Sequence, residues 1–285
     1  MNPLADKRDR LLAVLGEMGR VAVAFSGGVD STVVAKAAFL ALGGNAVAVT
    51  ADSPSVARSE LAEAAELAKR IGIRHVVVRT SEFDDPAYVA NDGTRCYFCK
   101  SELYTQIESI LPELGIDTIC SGANLDDNGD YRPGLTAAAE HRVRHPLQEA
   151  GFTKKDVRDL AKHWELPVWD KPASPCLSSR LAPGLAVTTE RTGRVERAEA
   201  FLHSLGLRTC RVRYHEGDLA RIEVEPEQLE RLARPEIREQ LADEFKRIGF
   251  RFVTLDLLGF RTGSLNDLIP LEVKSRFAAP QGDRP

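Results

Sequence analysis

The stretch "RVAVAFSGGVDST", residues 20–32, decides the fold. From Arg20 to Ser26 it is apolar and β-branched and reads as a buried strand. From Ser31 to Leu42 the apolar residues take a helical spacing, which Gly43 and Gly44 end. Between the two, Gly27 and Gly28 permit a tight turn and a close approach of backbone to a ligand. A helix that starts at such a turn points free N–H groups and the positive end of its dipole into it. That arrangement favours an anion, and pyrophosphate fits. The loop lacks the lysine of the G-x-x-x-x-G-K-[ST] motif, so it is a different kind of phosphate loop. A purely structural turn with an Asp-Ser helix cap is the plainer alternative, but the strand–turn–helix context favours phosphate. Ser26, Gly27, Gly28, Asp30, Ser31 and Thr32 are therefore expected to hold phosphates.

Working outward, "NAVAVTAD" (45–52), "RHVVVRT" (74–80) and "DTICSGAN" (117–124) read as further strands. Helical patterns cover 58–71, 100–111 and 151–167. This alternation predicts an α/β domain with a parallel sheet covered on both faces. Ligands of such sheets collect beyond the carboxyl ends of the strands. An adenine is accordingly expected near Asp52 and Gly122, at the ends of the second and fourth strands. After Pro172, Pro175 and Pro183 the pattern changes to a long helix (188–205), two strands around Glu216-Gly217-Asp218, two short helices and a strand over 250–260. The expected division is a parallel-sheet domain over 1–183, a smaller α+β domain over 184–270 and a disordered tail over 271–285.

With 285 residues, 43% hydrophobic and 28% charged, the chain has material for a core without disulfide staples. A net charge of −4 argues against a general affinity for nucleic acid. No stretch approaches a membrane span and the N-terminus lacks a signal-peptide pattern, so a cytoplasmic location is expected. There the five cysteines are thiols or ligands rather than bridges. Cys120 and Cys210 fall in apolar strand patterns and read as core. Cys96 and Cys99 in "RCYFCK" (95–100) are too few for a closed zinc site. A redox disulfide is disfavoured because the pair lacks the expected setting of a helix start after a strand. Cys176, in the loop "KPASPCLSSR" (171–180), sits beside Arg180, which would favour a thiolate and could pair with phosphate. Arg211 and Arg213 alternate on one strand and so share a face. A solvated surface pair is the plain reading of two such arginines taken alone.

"SGGVDST" resembles the PP-loop of the ATP-pyrophosphatase superfamily, whose members adenylate a carboxylate or carbonyl oxygen with loss of pyrophosphate. Taken in order from Arg20 to Asn266, "SGGVDST", "RCYFCK", "SGAN" with "DDNGDYRPG", "KPASPCLSSR", "RVRYHEGDLARIE" and "GFRTGSLN" resemble the LarE-type ATP-dependent sulfurtransferases. The Cys176 and Arg211 segments narrow the resemblance to that type. It implies conversion of the carboxylates of a pyridinium dicarboxylate mononucleotide to thiocarboxylates, in making a nickel-pincer nucleotide. It also implies ATP and Mg²⁺, with Asp30 as a catalytic residue and Asp126 or Asp127 as further metal neighbours, although ordinary cap and turn roles are favoured for the last two. Cys176 and Arg180 would act in catalysis. Ser179, Arg211, Arg213, Glu223 and Arg261 would bind the substrate. Cys96, Cys99 and Cys176 would hold a [4Fe–4S] cluster with one iron open to sulfide, the sulfur coming from inorganic sulfide or another donor. The alternative is sacrifice of the Cys176 sulfur, leaving dehydroalanine. A homo-oligomer is expected, with the second domain in substrate binding and assembly. Competing readings are a tRNA thiolase, an ammonia-using synthetase, and a non-enzymatic nucleotide- or zinc-binding module.

Overall fold

A computed structural model describes residues 3–127, 133–261 and 263–276. Residues 128–132 of the "DDNGDYRPG" motif, Thr262 and the tail from residue 277 onward lie outside the described residues. The chain divides into two compact units, Met1–Glu82 with Cys96–Ser174, and Phe83–Arg95 with Pro175–Lys274. The loss of Phe83–Arg95 to the second unit carries no mark in the composition of the chain.

The first unit opens with α1 (Pro3–Met18), β1 (Val21–Ala24), α2 (Val29–Leu42), β2 (Ala46–Asp52), α3 (Arg58–Ile71) and β3 (Arg74–Arg79). After α4 (Pro86–Val89), which belongs to the second unit, come α5 (Arg95–Leu114), β4 (Thr118–Cys120), α6 (Pro133–Glu140), α7 (Pro146–Glu149) and α8 (Lys154–His163). The sheet is wholly parallel in the order β3-β2-β1-β4. Alternation along β1 feeds two core layers, as a pleated strand requires. Val21 and Val23 pack with Leu11 and Leu15 of α1, Val33 of α2, Leu67 of α3 and Leu160 of α8. Ala22 and Ala24 pack with Leu103, Tyr104 and Ile107 of α5 and Ala137 of α6. Each such fully buried large side chain contributes about 1.5–3 kcal/mol. The fold is thus the α/β class that the strand–helix alternation predicts.

Local chemistry sets the element ends. Thr153 and Asp156 form a reciprocal capping box on α8. Helix α5 starts at Arg95, earlier than the periodicity from Lys100 suggests. The Asp92 carboxylate accepts from the Thr94 amide at 2.9 Å, a side-chain turn that launches the helix before its apolar face begins. Sequence periodicity also passes over α1, whose buried residues Leu11, Leu15 and Met18 keep the helical spacing.

The second unit has α4, α9 (Thr189–Ser204), β5 (Cys210–His215), β6 (Leu219–Val224), α10 (Pro226–Ala233), α11 (Pro235–Ile248), β7 (Phe252–Leu255) and α12 (Leu271–Arg276). Its sheet runs β5-β6-β7, antiparallel then parallel. Val195, Ala198 and Leu202 of α9 and Leu241 and Phe245 of α11 are buried with Val212, Tyr214 and Ile222 of the sheet. Strand β7 stops short of Phe260 because the Asp256 carboxylate accepts from the Leu258 amide at 2.9 Å and turns the chain. No helix among the described residues is long and apolar enough to cross a membrane.

Two glycines make a matched test. A Cβ on Gly122, just past β4, would stand 2.7 Å from the Ser31 backbone nitrogen, whereas one on Gly16 in α1 would meet nothing within 4 Å. Gly122→Val is expected to destabilise the chain by about 1–3 kcal/mol. Gly16→Ala is expected to stabilise it by about 0.5–1 kcal/mol. Urea unfolding midpoints measure both, and equal shifts would contradict the close approach at Gly122.

Candidate functional site

The turn after β1 is built by its own hydroxyls. Gly27 has φ +71°, and its Cβ position lies 3.3 Å from Ala64 of α3, so only glycine fits the turn and the helix behind it. The Ser26 amide donates to Ser31 Oγ at 3.2 Å, and Ser31 Oγ and Thr32 Oγ1 donate to the Gly28 carbonyl at 3.1 and 2.8 Å. Gly28 precedes α2 without any side-chain cap, so the first-turn N–H groups are left for solvent or an anion.

The segment after β4 closes on that turn. Gly122 packs against the Ser31 nitrogen, and Asn124 Nδ2 donates to Asp30 Oδ1 at 3.2 Å. Lys154, the first residue of α8, places its ammonium on the other oxygen of Asp30. Asp126 accepts from the Lys154 amide at 2.7 Å and Asp127 from the Asn124 amide at 3.0 Å, so both staple the loop. Lys154 and Asn124 escaped the sequence reading because nothing local links them to Asp30. They are 124 and 94 residues away from it.

Beyond the ends of β2 and β3 lies a cavity of about 300 Å³, lined by Asp52, Ser53, Pro54, Arg58, Arg79 and Thr80. Arg58 fixes its wall, donating to Asp52 at 2.5 Å and to the Ser53 and Val56 carbonyls at 2.6 and 2.8 Å. Thr80 Oγ1 is buried beneath this wall with no hydrogen-bond partner among the described residues.

Cys96 and Cys99 lie three residues apart on the opening turn of α5 and so share a face. The pair sits at a helix start, but a short helix precedes it, so the setting of a helix start after a strand is missing as expected. Cys96 is exposed, and Cys99 and Cys176 are half-buried. Cys120 and Cys210 are fully buried, and burial pushes both thiols up to about 12, which keeps them protonated. Among the described residues no three His, Cys, Asp or Glu side chains are gathered to hold a metal ion.

In the second unit Cys176 precedes a 3₁₀ turn, Leu177–Arg180. Arg180 makes a two-pronged pair with Glu199 of α9 at 3.0 and 3.1 Å and also donates to the Cys176 carbonyl at 3.0 Å. It thereby clamps the loop through the Cys176 backbone. Ser179 Oγ donates to the same carbonyl at 2.6 Å. Tyr88 bonds Ser178 Oγ at 2.8 Å and Arg95 donates to the Ser178 carbonyl at 2.9 Å, so Phe83–Arg95 is tied to this loop.

The sheet of this unit carries buried charge. Arg211 and Arg213 of β5 share a face, but both are over nine-tenths buried, unlike solvated surface arginines. Glu223, opposite Arg211 on β6 and fully buried, pairs with Arg213 at 2.9 Å and Arg221 at 3.0 Å and accepts from Ser264 at 2.6 Å. Arg221 also pairs with Asp256, which Arg261 approaches at 3.6 Å. Burial first, then the neighbouring Arg180, hold the Arg211 guanidinium below its ordinary value. A nearby anion would relieve both effects. Glu199, Arg221, Asp256, Tyr88 and Arg95 were missed in the sequence. The facing position of Arg221 two residues before Glu223 was the one available cue.

The parallel sheet and the Gly-Gly turn between β1 and an uncapped helix define a PP-loop ATP-pyrophosphatase-type domain. A family model described as asparagine synthase matches residues 15–91, which span that turn. An uncharacterised protein of Synechocystis is 46% identical over 266 residues, covering 93% of this chain and 99% of its own. The pyridinium-3,5-bisthiocarboxylic acid mononucleotide synthase of Lactiplantibacillus plantarum is 38% identical over 287 residues, 98% of this chain and 100% of that protein. The tRNA-specific 2-thiouridylase MnmA of Azorhizobium caulinodans is 31% identical but over only 54% of this chain and 49% of its own. The chain belongs to the LarE family, that of the pyridinium-3,5-bisthiocarboxylic acid mononucleotide synthases.

Glu223 allows a test of the buried network. Glu223→Ala leaves Arg213 without its carboxylate partner and removes one of the two that Arg221 has, at an expected cost of about 3–5 kcal/mol. Glu223→Gln keeps the shape and should cost less. Chemical unfolding of the two variants checks the order, and equal stability of Glu223→Ala and the parent chain would show that the network is not holding the sheet.

Proposed function

We propose that this chain is an ATP-dependent sulfurtransferase that converts carboxylates of a pyridinium dicarboxylate mononucleotide to thiocarboxylates. The observation that carries the reading is full-length membership of the LarE family together with an uncapped PP-loop helix in one unit and buried guanidiniums in the other. ATP would lie with its phosphates on Ser26, Gly27, Gly28, Ser31 and Thr32 and its adenosine toward Asp52, Thr80 and Gly122. The substrate carboxylate attacks the α-phosphorus, and pyrophosphate leaves against the backbone donors of the loop. Asp30 would be a ligand of a Mg²⁺ ion, which would share the charge of the departing pyrophosphate. The Lys154 ammonium, now on Asp30, then becomes available to the phosphates. Arg211, Arg213, Ser179 and Arg261 would hold the substrate phosphate or its second carboxylate, with Glu223 fixing Arg213. A sulfur nucleophile attacks the acyl carbon and AMP departs.

A [4Fe–4S] cluster on Cys96, Cys99 and Cys176 would supply an iron site for the transferred sulfur, which an external sulfide or sulfur donor replaces. One feature favours this: Cys96 and Cys99 share a face on the opening turn of α5. The second reading is that Cys176 Sγ attacks the acyl carbon as AMP departs, and the Cα proton and the Cβ–S bond are then lost to leave dehydroalanine and the thiocarboxylate. The half-buried Cys176 thiol, unlike the sealed Cys120 and Cys210, suits that role. A reducing, cytoplasmic setting suits either route.

Asp30→Ala is expected to abolish AMP formation in the presence of the pyridinium substrate. Unchanged AMP release would remove Asp30 from the phosphate site.

The two sulfur routes separate after turnover by intact mass. The cluster route keeps Cys176 whole and loses activity in each of Cys96→Ser, Cys99→Ser and Cys176→Ser. Full activity in the first two, with dehydroalanine at position 176, would leave the sacrificial route.

A further inference from the structure

One polar chain on the sheet face under α2 and α3 is unused by the chemistry above. Ala46, Ala48 and Thr50 share that face of β2, and His75 of β3 pairs in register with Ala48. Thr50, only 4% exposed, donates its hydroxyl proton to the Phe25 carbonyl at 2.7 Å. His75 Nε2 lies 2.8 Å from the same hydroxyl oxygen, and its ring stands edge-on to Phe25 with centroids 6.0 Å apart.

The proton inventory of this chain is forced. A carbonyl oxygen only accepts, so the single proton of Thr50 is committed to Phe25. Thr50 must then accept from His75, and the imidazole must carry a proton on Nε2. Burial holds the His75 imidazolium below its ordinary value, so at neutral pH the ring is the neutral Nε2–H tautomer. The Phe25 carbonyl belongs to the peptide whose N–H is that of Ser26, and that N–H donates to Ser31 Oγ at 3.2 Å. The peptide that enters the phosphate turn is thus held on one side by Thr50 and on the other by α2.

We propose that His75 is a positioning residue for the PP-loop, acting through Thr50 on the Phe25–Ser26 peptide. The proposal rests on the reading that this loop binds ATP phosphates. Without the His75 donor the Thr50 hydroxyl is free to rotate away from Phe25, the peptide gains freedom, and the loop amides lose their preset aim.

The test is calorimetric titration of the whole chain with a non-hydrolysable ATP analogue and Mg²⁺. His75→Leu and Thr50→Val are each expected to raise the Kd about five- to tenfold, the scale of one lost hydrogen bond. The double variant should bind no more weakly than either single one, because both break the same relay. His75→Gln, whose amide can donate to Thr50, and Thr50→Ser, which keeps the hydroxyl, should recover near-parental affinity. A merely structural role predicts a lower melting temperature without this pattern of rescue. Nitrogen NMR of the parent chain should find the neutral His75 proton on Nε2. A proton on Nδ1, a Kd within twofold in folded His75→Leu, or no rescue by His75→Gln would overturn the proposal. A parent chain that fails to bind the analogue would overturn the ATP reading and the positioning role with it, even if the NMR shows the Nε2 proton.

Discussion

The first unit depends on one close approach, that of the chain after β4 to the N-terminus of α2. Gly122 is the residue that allows it, since any Cβ there would intrude on the Ser31 amide. With the backbone this near, Asn124 reaches Asp30, and the loop it anchors hands on to α8, whose first residue supplies the Lys154 ammonium. The Gly-Gly turn is therefore assembled from two strand ends and two helix starts. Parallel topology makes this possible, because it places all the strand carboxyl ends and helix N-termini on one edge.

Much of this was legible in the sequence because its signals are local. Gly27-Gly28 between an apolar run and a helical spacing places the turn, and the alternation of patterns gives the parallel sheet. The spacing of Arg211 and Arg213 gives a shared face. What was not legible is long-range. Lys154 reads as one more lysine in a basic helix start, and nothing in the sequence says that it reaches Asp30. The early start of α5 depended on the Asp92 side-chain turn, which hydrophobic periodicity does not register. The plain reading of Arg211 and Arg213 as solvated failed because burial follows from α9 and the loop of Arg180, elements set by tertiary packing.

The charged interior of the second unit bears on the size of what it binds. Arg180 pairs with Glu199, Arg213 and Arg221 pair with Glu223, and Arg221 also pairs with Asp256, which the exposed Arg261 approaches, in a chain whose net charge is −4. Burying a guanidinium costs free energy unless a carboxylate or another anion pairs with it. Arg180, Arg211 and Arg213 are 2%, 8% and 6% exposed, so a long polyanion lying on the surface could not reach them. A tRNA makes its affinity from many exposed phosphate contacts. A mononucleotide with a phosphate and carboxylates can instead be enclosed, and enclosure strengthens each charge-assisted bond. If these arginines hold the substrate as proposed above, their burial fits a small nucleotide better than a tRNA.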